Sequence, residues 1–248
     1  MTGAASRSPW LLRRRPRPSA AGRLYCFPHS GGSPGEYLRW ADSIPDAEVW
    51  GLQLPGRGAR LGESAPTTMA ELVSAITAEV EFDDSAPFAF FGHSLGALVA
   101  YETARALQAA GRPCPRRVYL SAYGAPHLHH PGPPMHELDG PGLVSAVETE
   151  YGPLPPELHD DPELYRLVLQ GLRGDLAILA TYRHTHSAPL GCPITALGGS
   201  EDEETPARLA AWDRYTTSAF DLRMFPGDHF YFREHTDDVL AFLAATLA

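Results

Sequence analysis

An α/β fold, with a mostly parallel central sheet and helices on both of its faces, is the architecture this sequence predicts. Three observations carry that reading. Short apolar runs alternate with helix-length segments, the rhythm of βα units. At 248 residues and 44% hydrophobic side chains, the chain can fill the core of one such domain. One fully apolar run, Phe88–Phe91, also turns through flanking glycines straight into a strong helix.

In chain order, residues 1–22 form a basic N-terminal arm. They carry Arg7, Arg13, Arg14, Arg15 and Arg17, no acid and no apolar stretch of signal-peptide length, so a solvated, partly disordered tail is expected. The α/β domain then occupies residues 23–248. Arg23–Phe27 reads as its first strand, Glu36–Ile44 as a helix and Glu48–Gln53 as a strand. Thr67 or Thr68 can cap a helix running to about Phe82. Strand Phe88–Phe91 follows, then helix Leu95–Ala110 with Gly111 as its stop, and strand Val118–Ala122. The alternation halts over about 126–190, where helical stretches near Pro141–Tyr151 and Asp161–Arg183 sit among proline-rich loops. An irregular helical insertion in a βα series is where a lid over the carboxyl ends of the strands belongs. The rhythm resumes with strand Pro193–Leu197, a helix near Pro206–Tyr215, strand Asp221–Phe225 and a closing helix Thr236–Leu247.

Composition removes whole classes of chemistry. All twenty basic residues are arginine, so Schiff-base lysines, a Ser-Lys dyad and a lysine-bearing phosphate loop are excluded. A net charge of −10 disfavours nucleic acid as a partner, and no apolar run is long enough to span a membrane. Three cysteines without CxxC spacing suit a reducing, cytoplasmic setting.

The chemistry centres on Gly92-His93-Ser94-Leu95-Gly96, a G-x-S-x-G pattern between the apolar strand and the helix. A sharp strand-to-helix turn there projects the serine oxygen above the sheet, at a helix N-terminus that favours a developing anion. The fold class is therefore the α/β-hydrolase fold, with Ser94 as nucleophile. A hydroxyl needs a base to take its proton, and in this fold an acid and then a histidine follow the serine, in loops after late strands. His229, in Pro226-Gly227-Asp228-His229-Phe230 after the last strand, fits that place. His235 falls instead at the start of the closing helix, and the histidines at 127, 129, 130 and 136 lie in the insertion without metal-ligand spacing. The acid belongs in Gly198-Gly199-Ser200-Glu201-Asp202-Glu203-Glu204; Asp202 is preferred and Glu201 is the second choice. Two backbone N–H groups must face the oxyanion: that of Leu95, next after the nucleophile, and that of Ser30, in the His29-Ser30-Gly31-Gly32 loop after the first strand. This set requires neither metal nor organic cofactor.

Six blocks, CFPHSGGS, LQLPGRGAR, FGHSLGALVAYE, DLAILATYR, ITALGGSED and PGDHFYF, resemble in composition and order the type II thioesterases of polyketide and nonribosomal peptide biosynthesis, over residues about 10–248. The resemblance implies a Ser94–His229–Asp202 triad, a flexible lid near 127–185, and hydrolysis of acyl groups from the phosphopantetheine arms of acyl or peptidyl carrier proteins, which clears stalled or misprimed synthases. Two positions depart from it: the family usually has a small residue such as alanine where Ser30 stands and aspartate where Ser200 stands. A monomer is expected, with carrier docking through a local patch that includes Arg57 and Arg60. An esterase or lipase acting on small free esters would share every one of these residues. A hydrolase fold without activity would show a broken triad, and an acyltransferase would differ only in its acceptor.

Overall fold

Sequence alternation within each strand decides which layer each side chain enters. In the computed structural model, which describes residues 8–82, 84–151 and 161–247, seven strands form one sheet in the order β1-β3-β2-β4-β5-β6-β7. They are β1 (Leu11–Leu12), β2 (Gly22–Phe27), β3 (Ala47–Leu52), β4 (Phe88–His93), β5 (Arg117–Ser121), β6 (Ile194–Gly199) and β7 (Phe220–Phe225). All pairings are parallel except that of β1 with β3. Every residue of β2, β4 and β6 is buried, as a strand covered on both faces must be, which is why these segments read as apolar runs rather than as alternating ones. Tyr25, Phe27, Phe88 and Phe90 face one layer, with helices α2 (Met69–Glu79) and α3 (Leu95–Ala109). Leu24, Cys26, Ala89 and Phe91 face the other, with α1 (Gly35–Leu38) and α8 (Thr236–Thr246).

The helices begin where the sequence carries caps. Thr68 accepts from the Glu71 N–H while the Glu71 carboxylate accepts from the Thr68 N–H, a complete capping box for α2. Between β5 and β6 lie α4 (Gly140–Tyr151) and α5 (Pro162–Thr181), the latter capped by the Asp161 carboxylate. Leu143, Val144 and Val147 of α4 pack with Leu169, Leu172 and Leu176 of α5 in a separate apolar cluster, whereas Ile178 and Tyr182 join the main core. Helix α5 therefore bridges the insertion and the domain. Leu164 at its start is exposed, whereas Leu169 and Leu172 are buried. The segment 206–215 is not one helix: α6 (Pro206–Ala210) tightens into a 3-10 turn over Ala211–Tyr215, which buries Trp212 with its Nε1–H on the Tyr123 carbonyl, 2.7 Å away. A short α7 (Tyr231–Glu234) precedes α8.

The described part of the basic arm is not a solvated tail. Trp10 is 1% exposed, its Nε1–H donates to Glu79 at 2.9 Å, and the Arg60 guanidinium lies 4.0 Å above its ring. Leu11 and Leu12 pair with Leu52 and Gly51, and Arg13 meets the buried Glu48 carboxylate, which also accepts from the Arg17 N–H. The arm thus adds partners to an acid that also holds the Trp50 Nε1–H at 3.0 Å and Arg23 at 3.8 Å, and it covers that edge.

Candidate active site

Six loops leave the carboxyl edge of the parallel strands, one after each of β2 to β7, and the predicted triad and oxyanion residues lie on four of them, after β2, β4, β6 and β7. Ser94, directly after β4, has φ 54° and ψ −124°, a conformation that costs of order 1–3 kcal/mol and persists only where its surroundings enforce it. Its N–H donates to the Ser121 carbonyl of β5 at 2.8 Å. A methyl on Gly92 would overlap the carbonyl of Gly96, and one on Gly96 would overlap the carbonyl of Phe27. Those two contacts explain the glycines of G-x-S-x-G: the turn folds onto itself, and α3 begins against the start of the loop after β2. Leu95 is the first residue of α3, so its N–H has no acceptor within its own helix.

Asp202 follows β6, and its side chain is 4% exposed. The Nδ1 of His229, after β7, lies 3.0 and 3.2 Å from its two oxygens. Gly199 sits so close to the carbonyls of Gly227 and Asp228 that a side chain there would collide with both, and the Glu201 N–H donates to Gly227 O at 2.9 Å. The two loops are thereby stitched together, with the carboxylate of Asp202 turned to the histidine while the side chain of Glu201 is exposed. The His229 ring stands 5.0 Å from the ring of His93, the residue before Ser94. His235 is 3.9 Å from Asp238 on α8 and is not part of this group.

The loop after β2 closes on itself, with the Gly32 N–H on His29 O at 2.9 Å and His29 Nδ1 on Ser30 O at 2.9 Å. It is also held from outside: the Gly31 N–H donates to Asp175 of α5 at 2.7 Å. Asp175, which is buried, pairs with the mostly covered Arg57 at 2.6 Å. Arg60 is 5% exposed and ion-paired with Glu63. Neither arginine forms the surface patch that their place in a turn suggests: Arg57 is drawn to buried Asp175, and Arg60 donates to the buried Gln53 carbonyl at 3.0 Å.

Several contributors escaped sequence reasoning. His93 is fully buried, its Nδ1 2.8 Å from Ser121 Oγ, which in turn lies 2.7 Å from the Tyr231 hydroxyl. Burial, and then the charge of a protonated His229, push the His93 pKa well below its usual value, so the ring is neutral. Burial likewise raises that of Tyr231. Asp175 had one available signal, a lone acid between Leu172 and Leu176 on the apolar face of a helix. Among the described residues no cluster of three His, Cys, Asp or Glu could hold a metal ion, and no helix is long and apolar enough to cross a membrane.

A model of the thioesterase domain matches residues 22–247. The chain belongs to the thioesterase family. It is 38% identical over 233 residues to thioesterase PikA5 of Streptomyces venezuelae, covering 93% of this chain and 82% of that protein. It is 35% identical to a Brevibacillus parabrevis protein named linear gramicidin dehydrogenase LgrE, over 98% of this chain and 94% of that one. Among solved structures, the type II thioesterase BorB of the borrelidin biosynthetic cluster is similar with a TM-score of 0.84 and 36% identity, covering 96% of this chain and 98% of the other. This thioesterase is an α/β-hydrolase-fold enzyme, and its relatives include type II thioesterases of such clusters.

Proposed function

We propose that the protein hydrolyses acyl thioesters carried on the phosphopantetheine arm of acyl or peptidyl carrier proteins, with Ser94 as nucleophile, His229 as general base and acid, and Asp202 as the group that orients His229. The observation that carries the reading is the strained serine at the head of α3, together with His229, whose ring stands 5.0 Å from that of the adjoining His93 and whose Nδ1 is held by a buried carboxylate. With its Nδ1 proton on Asp202, His229 presents Nε2 to accept the Ser94 proton as the serine oxygen attacks the thioester carbon. The tetrahedral oxyanion rests on the N–H groups of Leu95 and Ser30. The C–S bond then breaks and the pantetheine sulfur takes the proton from His229, leaving an acyl-serine. Water, deprotonated by His229, attacks that ester, and the acid leaves as Ser94 regains its proton.

Substrate class follows from kinship with BorB and PikA5, the one titled a type II thioesterase and the other named a thioesterase. The insertion of about 126–190 acts as the lid over the acyl chamber, residues 23–248 are the hydrolase domain and residues 1–22 are its appended arm. The enzyme works as a monomer in the cytoplasm, in keeping with its free cysteines. The dehydrogenase name of one relative does not transfer: the first βα turn here reads His29-Ser30-Gly31-Gly32, without the G-x-G-x-x-G that a dinucleotide pyrophosphate requires. Intact-mass analysis of an acylated carrier protein tests the proposal. Wild type should remove the acyl group, and Ser94→Ala should lose at least ~10³-fold in rate with its fold intact. Near-normal turnover by Ser94→Ala would remove the serine from the mechanism.

A further inference from the structure

Helix α5 lies in the insertion, yet part of it is locked onto the domain by one face. Gly171, Gly174 and Asp175 share that face at helical spacing. A methyl on Gly174 would stand 2.8 Å from the Ala65 Cβ and 3.0 Å from the Pro66 carbonyl, and one on Gly171 would stand 3.2 Å from the Gly56 carbonyl. The helix therefore rests directly on the loop after β3. This close approach delivers the Asp175 carboxylate, 2% exposed, to two partners at once. One oxygen accepts from Arg57 at 2.6 Å and the other from the Gly31 N–H at 2.7 Å. Arg57 also donates to the Gly32 carbonyl at 3.2 Å, so the pair grips the glycine loop by a donor and by an acceptor on neighbouring residues. Gly31 has φ +71°, a conformation that the loop must be held in, and Leu172 of the same helix packs 3.3 Å from where its side chain would be.

A buried ion pair is weak evidence for stability, because a well-packed apolar pair of similar volume often does as well. What an apolar pair cannot do is accept the Gly31 N–H. That N–H belongs to the Ser30–Gly31 peptide, whose carbonyl meets His29 Nδ1 at 2.9 Å, so holding this peptide at both ends narrows the Ser30 dihedrals that set where the Ser30 N–H points. We infer that Arg57 and Asp175 are positioning residues that make the geometry of the Ser30 loop depend on the seating of α5 against the loop after β3. The inference rests on the reading of Ser30 as an oxyanion donor. It also divides the insertion: the stretch of α5 at Gly171–Asp175 is a fixed support of the site, and any opening of the lid occurs elsewhere in the segment.

The test compares two double variants with wild type on an acyl-pantetheine thioester. Arg57→Met/Asp175→Leu replaces the pair by apolar side chains and leaves the Gly31 N–H without an acceptor. It should keep the wild-type melting temperature, keep KM within about twofold, and lose ~10- to 100-fold in kcat, somewhat less than removal of an oxyanion donor costs elsewhere. Affinity for an acyl trifluoromethyl ketone, whose adduct places an oxyanion in the same hole, should fall by the same factor, while affinity for a non-reactive thioether analogue should not change. Arg57→Met/Asp175→Asn restores a neutral acceptor for Gly31 and should recover most of kcat. A folded leucine variant with wild-type kcat overturns the inference. Should that variant fail to fold, Arg57→Met/Asp175→Ala, which lacks the acceptor in a smaller side chain, takes its place against Arg57→Met/Asp175→Asn; equal kcat in those two overturns the inference as well. Ser94→Ala, assayed alongside, separates the two levels. Turnover by that variant removes the reading of the site, whereas its inactivity together with a fully active leucine variant removes only the role of the pair.

Discussion

Replacing Asp202 by asparagine changes one atom at the point where the proposed mechanism is most exposed. The Asp202 carboxylate can only accept, so with its oxygens 3.0 and 3.2 Å from Nδ1 it keeps the imidazole proton on that nitrogen and leaves Nε2 free for the Ser94 proton. Asparagine offers an amide N–H in the same space. The imidazole then favours the opposite tautomer, with its proton on Nε2, and the imidazolium formed during attack loses its counter-charge. At 4% exposure the side chain has almost no contact with water that could take over either role. The rate should fall by up to ~10⁴, about 5.5 kcal/mol of barrier. Because asparagine is isosteric, the melting temperature should move by only a few degrees. Glu201→Gln is the control. Its backbone N–H, not its carboxylate, is tied to Gly227, so turnover should stay close to wild type. Release of pantetheine thiol, followed with a thiol-reactive chromophore over a range of substrate concentrations, gives kcat and KM for each variant. An Asp202→Asn enzyme within about tenfold of wild type, far short of the loss seen when a triad acid is neutralised, would refute the assignment. So would a large loss in Glu201→Gln.

Two further outcomes follow from burial. His93 binds no proton in the folded state near neutrality while an unfolded histidine does so below about pH 6.5, so stability should decline as pH falls through that value, with a slope approaching about 1.4 kcal/mol per pH unit for this one group. His129, also lowered by burial, adds to the slope, and urea unfolding from pH 7.5 to 5.5 checks it; a flat profile contradicts the account. Trp10→Ala should cost about 3–5 kcal/mol in the same assay, since it empties a fully buried site and strips Arg60 of its aromatic partner. A loss under about 1 kcal/mol, the scale of an ordinary surface substitution, would return the arm to the solvent.

The strands and the serine turn were legible because their causes are local. Continuous apolar runs mark strands covered on both faces, and the glycines at 92 and 96 record two steric overlaps within and beside the turn. His229 was legible through its place after the last strand. Asp202 and Glu201 were not separable on sequence alone, because the choice depends on which way a turn stitched to Gly227 points its side chains. What sequence could not show was pairing at a distance. Trp10 meets Glu79, Arg13 meets Glu48, and Arg57 meets Asp175 more than a hundred residues on. Each of these arginines looks solvated in its own neighbourhood and is explained only by an acid that the fold brings to it. The break of segment 206–215 into two turns is of the same kind, set by the demand of Trp212 for the Tyr123 carbonyl.

The central claim, that this site is built for carrier-bound thioesters, is tested most directly by kcat/KM for one acyl group presented in two ways: on the phosphopantetheine arm of a carrier protein, and as a matched free oxygen ester. The account predicts a clear preference for the carrier-bound thioester, abolished together with the ester activity in Ser94→Ala. A preference for the free oxygen ester would contradict it and leave a serine hydrolase of another specificity.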